Sequence, residues 1–439
     1  MQSKLIMERI RYIFTHMKDA VCLCNMNGEL IYANPAADTL FSLHMDRSAL
    51  IWKEIPFVAE NDGLIQLFID GILQKKKAVS SMVTYVNNEG RKYDLHVTLT
   101  CESAESGMIL IVVNDLTDLV RVHSAFERYT SPEIADYVLT TPGGEKQGGQ
   151  SREATILMSD LRGFTAMSTR LPSDQLITML NHYFAEMSAV ITQHRGTVIE
   201  FLGDGIFVVF GAPQELPDHA EAAVRCAVEM QNALSRVNEW NREQGYPELE
   251  MGIGINSGSV VVGNIGSEQK MKYGCMGETV NMAGRLESFT LGGEVCISEN
   301  TRKRIAAELK ILGENSFMPK GGQEKMKYYS ISGLGADCAL QNAAGAIKWR
   351  TLPAAKEIDY SLILAGKAVD EESHKGLLTE ISEDEKHGML QSDRMLQPLQ
   401  NLLLRLNGLE AYAKVTECGK RGCRISFTSK QDGFSELLR

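Results

Sequence analysis

Residues 154–165 read ATILMSDLRGFT. Ala154 to Met158 is an apolar run short enough for a buried strand. Asp160 stands where that strand gives out, and Arg162-Gly163-Phe164-Thr165 turns the chain ahead of the next helix. A helix opening from such a turn aims free backbone N–H groups at an anion. A carboxylate beside an anion nest suits metal-bridged phosphate chemistry, although a strand-end Asp can equally be a plain cap.

The next stretch outward, residues 197–211 (TVIEFLGDGIFVVFG), reads as strand, turn, strand. Gly203-Asp204-Gly205 between apolar runs is hairpin chemistry, and it leaves Asp204 at the tip. Asp160 and Asp204, each at a strand end, could share a pair of divalent ions. Mg²⁺ needs few carboxylates when phosphate oxygens and water supply the rest. A third stretch, residues 272–288 (KYGCMGETVNMAGRLES), moves from a short strand through Gly277 into a helix. Asn281 and Arg285 are four residues apart there, so both leave one helix face. An amide beside a guanidinium can hold a sugar and a charged phosphate in register, or simply form a solvated face.

These stretches, with MGIGINSGSVVVGNIG between them, resemble the class III nucleotidyl cyclases over Arg152–Ser332. The resemblance implies an α+β domain, a ferredoxin-like βαββαβ core, and head-to-tail dimers with active sites at the interface. Alternation of strand and helix signals supports the same fold: strand 154–159, helix 173–194, hairpin 197–210, helix 218–240, strands 249–256 and 259–264. The implied reaction is attack of a nucleoside triphosphate's 3′-hydroxyl on its own α-phosphate. By resemblance, Asp160 and Asp204 hold two divalent metal ions (Mg or Mn). The backbone of Phe164 and Thr165 binds the triphosphate, and Lys320 matches a phosphate-binding lysine. Asn281 of a partner chain orients the ribose, and Arg285 steadies charge on the α-phosphate.

Purine choice is read by two positions in this family, Glu200 and Gly274 here. Guanylyl cyclases usually carry Glu at the first and adenylyl cyclases Lys. A carboxylate accepts from guanine N1–H and the 2-amino group, whereas adenine N1 is itself an acceptor. Gly274 offers no side chain to guanine O6, and Glu278 stands where an Asp is usual. Cys275 is the neighbouring candidate if the register shifts by one, although alternation would turn it away. GTP is the favoured substrate, ATP the alternative, and a nucleotide-binding regulatory pseudo-cyclase the reading from outside enzymology.

The chain's 439 residues leave room for further domains. Residues 1–118 carry strand signals at 20–25, 30–34, 78–87, 92–100 and 108–114, and DAVCLCNMNGELIYANPAADTLF with VVNDLTDLV resembles a PAS sensor. Its ligand is unassigned; His16, His44 and His96 are the histidines a haem would need. Leu116–Tyr137 reads as one helix with Leu119, Val122, Phe126 and Tyr129 near heptad spacing, a stripe on which two chains could pair. Residues 119–150 thus form a helical linker and a Gly-rich hinge, TPGGEKQGGQ. After a linker at 333–355, residues 356–439 show six short strand signals, expected to close a small β-barrel. The layout resembles a PilZ domain, but Ser382 and Gly388 are wrongly spaced for its D/N-x-S-x-x-G element and no R-x-x-x-R precedes them. A regulatory or interaction module is expected there, without cyclic di-GMP.

A net charge of −11 argues against nucleic acid or an anionic membrane as partner. Apolar runs such as Met108–Val113 are far too short to span a bilayer, and Met1–Arg11 has no signal-peptide core. The scattered cysteines, Cys418 and Cys423 included, form no zinc pattern, and reduced thiols in a cytoplasmic protein are expected.

Overall fold

The computed structural model describes residues 2–25, 27–41, 66, 78–87, 90–101, 107–317, 325–341, 348–363, 369–370, 372–397, 400–419, 421–431 and 433–438. Two compact units, Met1–Tyr129 and Thr130–Arg439, make up the chain.

In the first unit, helix α1 (Gln2–His16) leads into β1 (Ala20–Asn25), β2 (Leu30–Ala33), α2 (Pro35–Phe41), β3 (Ala78–Val86), β4 (Lys92–Cys101) and β5 (Met108–Asp115). The strands form an antiparallel sheet in the order β2-β1-β5-β4-β3. Alternate residues of β5, Ile109, Ile111 and Val113, are buried in its core. Asn34 is fully buried and fully used. Its oxygen accepts from Val21 and Ala37 N–H (3.0 Å each), and its amide donates to the Phe14 and Asp19 carbonyls (3.2 and 2.9 Å). His44 lies outside the described residues.

Two helices then replace the single one expected, α3 (Thr117–Thr130) and α4 (Pro132–Thr140). Pro132 cannot donate to a preceding turn and pushes Ser131 out of the helical region, here to φ 150°. Ser131 caps α4 instead, accepting from Ile134 N–H. On α3, Leu119, Val122 and Tyr129 are exposed along one stripe.

The second unit begins its sheet with β6 (Gly148–Leu161), followed by α5 (Phe164–Ser168), α6 (Ser173–Gln193), β7 (Thr197–Leu202), β8 (Gly205–Phe210) and α7 (His219–Gln244). Next come β9 (Met251–Ser267), β10 (Lys270–Met276), α8 (Glu278–Phe289), β11 (Val295–Ser298), α9 (Glu299–Arg302), β12 (Leu309–Phe317), β13 (Met326–Leu334) and β14 (Cys338–Ala339). The sheet order is β12-β13-β11-β9-β6-β8-β7, with β10 on β9 and β14 on β13. Its β9-β6-β8-β7 segment is the ferredoxin-like arrangement. Helices α6 and α7 cover one face through Met179, Tyr183, Met187, Val224, Met230 and Val237.

Two details of this sheet differ from the sequence reading. The strands expected at 249–256 and 259–264 are one strand, because Ser257 does not turn the chain. Its buried hydroxyl is satisfied by Thr155 (2.6 Å) and Thr301 (3.0 Å). The Gly-rich hinge is tied down, since Gly148 to Gln150 already pair with β9 and the Asn264 amide holds the Gly144 and Lys146 carbonyls.

The chain closes in a six-stranded barrel: β15 (Trp349–Ile363), β16 (His374–Ser382), β17 (His387–Ser392), β18 (Asn401–Leu406), β19 (Leu409–Gly419) and β20 (Gly422–Lys430), ordered β15-β16-β17-β20-β19-β18. Leu378, Leu390, Leu404, Val415, Ile425 and Phe434 fill it. Cys418 and Cys423, expected as free thiols, face one another across the β19–β20 hairpin and form a disulfide. Pairing of the strands brings together two cysteines whose spacing alone gave no such signal. Among the described residues, no helix is long and apolar enough to cross a membrane.

Candidate active site

β6 delivers Asp160 at its end, and the β7–β8 hairpin delivers Asp204 beside it. Closure of the hairpin on β6 depends on Gly205, where a Cβ would lie 2.8 Å from the Ser159 carbonyl. Asp204 Oδ2 accepts the Leu161 N–H at 3.2 Å. Burial first, and then the Asp160 charge, push the Asp204 carboxyl up to about 6. Two carboxylates forced together in a half-buried site are what a divalent cation relieves. Among the described residues no cluster of three or more His, Cys, Asp or Glu could hold a metal. Asp160 and Asp204 offer two carboxylates, which fits Mg²⁺ or Mn²⁺ completed by substrate oxygens and water.

Arg162, read from sequence only as a turn residue, is tied into this corner. Its guanidinium lies 3.5 Å from Asp160 Oδ2, donates to the Asp160 carbonyl (3.2 Å), and pairs with Glu287 of α8. The helix α8 starts at Gly277, at φ 140°, and packs Met282, Ala283 and Leu286 downwards. Its seat on β9 is a run of glycines. A Cβ at Gly254 would fall 2.1 Å from Glu287 N, one at Gly252 2.0 Å from Thr290 Oγ1, and one at Gly258 2.8 Å from Thr279 Oγ1. Asn281 and Arg285 leave the upper face. With Asp160, Leu202, Gly205 and Glu287 they line a cavity of about 520 Å³. Phe164 and Thr165 open α5 behind Gly163, which takes the left-handed conformation at φ 71°. Lys320 lies outside the described residues.

Glu200 and Gly274 stand elsewhere, and neither lines that cavity. The Glu200 carboxylate pairs with Lys272 at 2.5 Å, both half-exposed. Strand alternation puts Lys272 on the same side of β10 as Gly274. Cys275 is buried, its thiol pushed up to about 12 by desolvation. Sequence reasoning missed Lys272 because only the fold brings β10 beside β7; its place two residues before Gly274 was the available signal.

Residues 147–333 match the family model described as the adenylate and guanylate cyclase catalytic domain, and residues 18–118 match a PAS domain model. A curated relative, Adenylate cyclase 1 of Rhizobium meliloti (strain 1021), is 32% identical over 185 residues, 42% of this chain and 28% of that protein. The chain thus matches under a third of that relative's length. The crystal structure of the guanylyl cyclase Cya2 is 46% identical, covering 44% of this chain and all of that one, with a TM-score of 0.43. The adenylyl cyclase CyaB from P. aeruginosa is 34% identical over 42% of this chain and 96% of its own, with a TM-score of 0.40.

Fold and site together define a nucleotidyl cyclase catalytic domain. The chain belongs to the class III adenylyl/guanylyl cyclase family, with a PAS domain ahead of the catalytic one. Cyclase domains of this family act on nucleoside triphosphates, use divalent metal ions and work as dimers.

Proposed function

We propose that the chain is a PAS-regulated purine nucleotide cyclase that converts GTP, in preference to ATP, into the 3′,5′-cyclic monophosphate and pyrophosphate for signalling. The observation that carries the purine choice is the Glu200–Lys272 pair. Glu200 offers acceptors to guanine N1–H and the 2-amino group, and Lys272 offers O6 the donor that Gly274 lacks. The second reading, ATP, rests on the same pair, since an ammonium can also donate to adenine N1; it requires the two side chains to exchange places.

Nucleophile and electrophile belong to one substrate, so positioning and charge stabilisation supply the catalysis. Divalent ions held by Asp160 and Asp204 would activate the 3′-hydroxyl and neutralise the departing phosphates. Phe164 and Thr165 N–H groups bind the triphosphate, Asn281 orients the ribose, and Arg285 meets the charge on the α-phosphate. Lys320 contributes a further phosphate contact.

Within one chain Asn281 and Arg285 line the same cavity as Asp160, whereas Glu200 and Lys272 do not; in the proposed dimer a second copy brings its own Asn281, Arg285 and purine-reading pair to the metal carboxylates. Phe201, Leu202, Val261, Met271 and Met276 are exposed around β7, β9 and β10, an apolar surface suited to that partner. The exposed stripe on α3 offers a second pairing surface, through which the sensor would act on the catalytic pair. The functional domains proposed are 1–118, 151–332 and 356–439, joined by 119–150 and 333–355. Purified protein with Mn²⁺, given GTP and ATP separately, tests the reading. Cyclic GMP as the main product supports it, dominant cyclic AMP overturns the purine assignment, and no product overturns the cyclase.

A further inference from the structure

β19 alternates as a barrel strand must, with Ala411, Ala413 and Val415 turned into the apolar interior. Lys414 therefore belongs to the outer face, where a lysine is ordinarily solvated. It is only 4% exposed, because that face lies against the end of α8. Its Nζ donates to the Ser288 carbonyl and to the Thr290 carbonyl (3.3 Å for the latter). Carbonyls at a helix C-terminus lack intrahelical partners and carry the negative end of the helix dipole, so a cation placed there satisfies both needs.

Why α8 needs such a contact follows from its seat. Gly252, Gly254 and Gly258 remove side chains from the β9 surface beneath it, and between Gly254 and Gly258 Asn256 holds only the first turn, its amide donating to the Thr279 carbonyl at 2.9 Å. At its start, Thr279 Oγ1 donates to the Ser259 carbonyl at 2.7 Å. At its end the barrel supplies the hold. A second contact braces the same corner: Lys386, in the β16–β17 turn, pairs with Glu250, whose carbonyl accepts the Arg162 N–H at 2.7 Å. Arg162 in turn pairs with Glu287 of α8.

We propose that the C-terminal barrel sets the position of α8, with Lys414 as the positioning residue that holds the helix so that Asn281 and Arg285 face the substrate. The proposal rests on the cyclase reading of the site. By the helix rise, Ser288 is about 4.5 Å along the axis from Arg285 and about 10.5 Å from Asn281. A rigid helix transmits a shift at one end to both. Displacement of reacting groups by about 1 Å can cost about 10²-fold in rate. Burial, then the nearby Arg162 charge, pull the Lys414 ammonium down to about 8; the facing Glu294 and Cys296 oppose that fall, and the two carbonyls take two of the three donors of this buried cation.

The test is made on the full chain with Lys414→Met and Lys414→Gln, the second keeping an amide donor. Lys414→Met should lower kcat by at least about tenfold with KM changed less than about threefold, and Lys414→Gln should recover most of the loss. In an Arg285→Ala background the Lys414→Met effect should shrink well below its value alone; simple additivity would mean that the lysine acts only on overall stability and would overturn the proposal. Amide hydrogen exchange gives a readout independent of turnover. Exchange in 278–290 should quicken at least about tenfold in Lys414→Met while β6 and β9 stay protected, and unchanged exchange there overturns the proposal. Should Lys414→Met fail to unfold cooperatively, the cycle and the exchange comparison are made with Lys414→Ala, which likewise removes the donor, and additivity or unchanged exchange again overturns the proposal. A wild-type chain without turnover would sink the cyclase reading, while exchange still decides the role of Lys414.

Discussion

Exchanging the two charges of the purine-reading pair, Glu200→Lys with Lys272→Glu, should move the enzyme from GTP towards ATP. In the wild-type order the pair offers guanine three hydrogen bonds: two acceptors from Glu200 and one donor from Lys272. Reversed, it sets an ammonium against N1–H and the 2-amino group and a carboxylate against O6, while adenine finds a donor for N1 and an acceptor for its 6-amino group. A hydrogen bond to a charged group is worth about 1.5–3 kcal/mol, and both side chains are half-exposed, so the lower figure applies. Removing all three hydrogen bonds, at about 1.5 kcal/mol each, costs about 4.5 kcal/mol, or about 10³-fold in the ratio of kcat/KM for GTP to that for ATP. Glu200→Lys alone should cut GTP turnover far more than ATP turnover, and Lys272→Met should cost GTP about tenfold, the share of one hydrogen bond. The assay is chromatographic separation of cyclic GMP and cyclic AMP from parallel reactions with Mn²⁺. A double variant whose ratio stays within about threefold of wild type would refute the assignment of this pair to the base.

Asp204 is held up at about 6 against an ordinary value of about 3.9. An acid raised in the fold opposes folding once it is deprotonated, so the metal-free protein should lose stability as pH climbs from about 4 through 6, and Asp204→Asn should remove that loss. A cation competes with the same proton, so the rise in Tm given by Mn²⁺ should grow as pH passes upward through about 6; a rise independent of pH would contradict Asp204 as a ligand. Mixing Asp160→Ala with Arg285→Ala chains should restore up to one working site per heterodimer. Absence of recovery, with heterodimers demonstrated by differential tagging, would place each site within one chain. Gly254→Ala puts a Cβ against Glu287 N and should cost about 3 kcal/mol by denaturant unfolding, with a loss of turnover when folded; a cost below about 0.5 kcal/mol would show that α8 does not sit as described.

How legible the molecule was in its sequence depended on the range of the signal. Local signals carried far: the hairpin at Gly203-Asp204-Gly205, the alternation in β5 and the apolar run of β6 each determine their own element. The break at Ser131-Pro132 was also local, and the apolar stripe running through it obscured a proline that should have stopped the helix. Contacts between distant strands were not legible. Lys272 meets Glu200 across 72 positions, Arg162 meets Glu287 across 125, and Lys414 reaches Ser288 across 126. In each case a charged residue on a strand or turn reads as solvated surface until the fold brings its distant partner beside it. The pairing of Cys418 with Cys423 was hidden differently: their spacing suits a disulfide only if a tight hairpin lies between them.

That disulfide has a consequence for fidelity. The β19–β20 ladder shifts register on both sides of Lys414, between Tyr412 and Ala413 and again between Val415 and Glu417. A slip of one residue in this ladder would turn Lys414 into the barrel's apolar interior and set Ala413 or Val415 against the helix end. Cys418 and Cys423 face one another at the closed end of the hairpin and admit one alignment only. The covalent link thus works as an index mark: it ties the hairpin end in the pairing with which the barrel presents a cation to its neighbour.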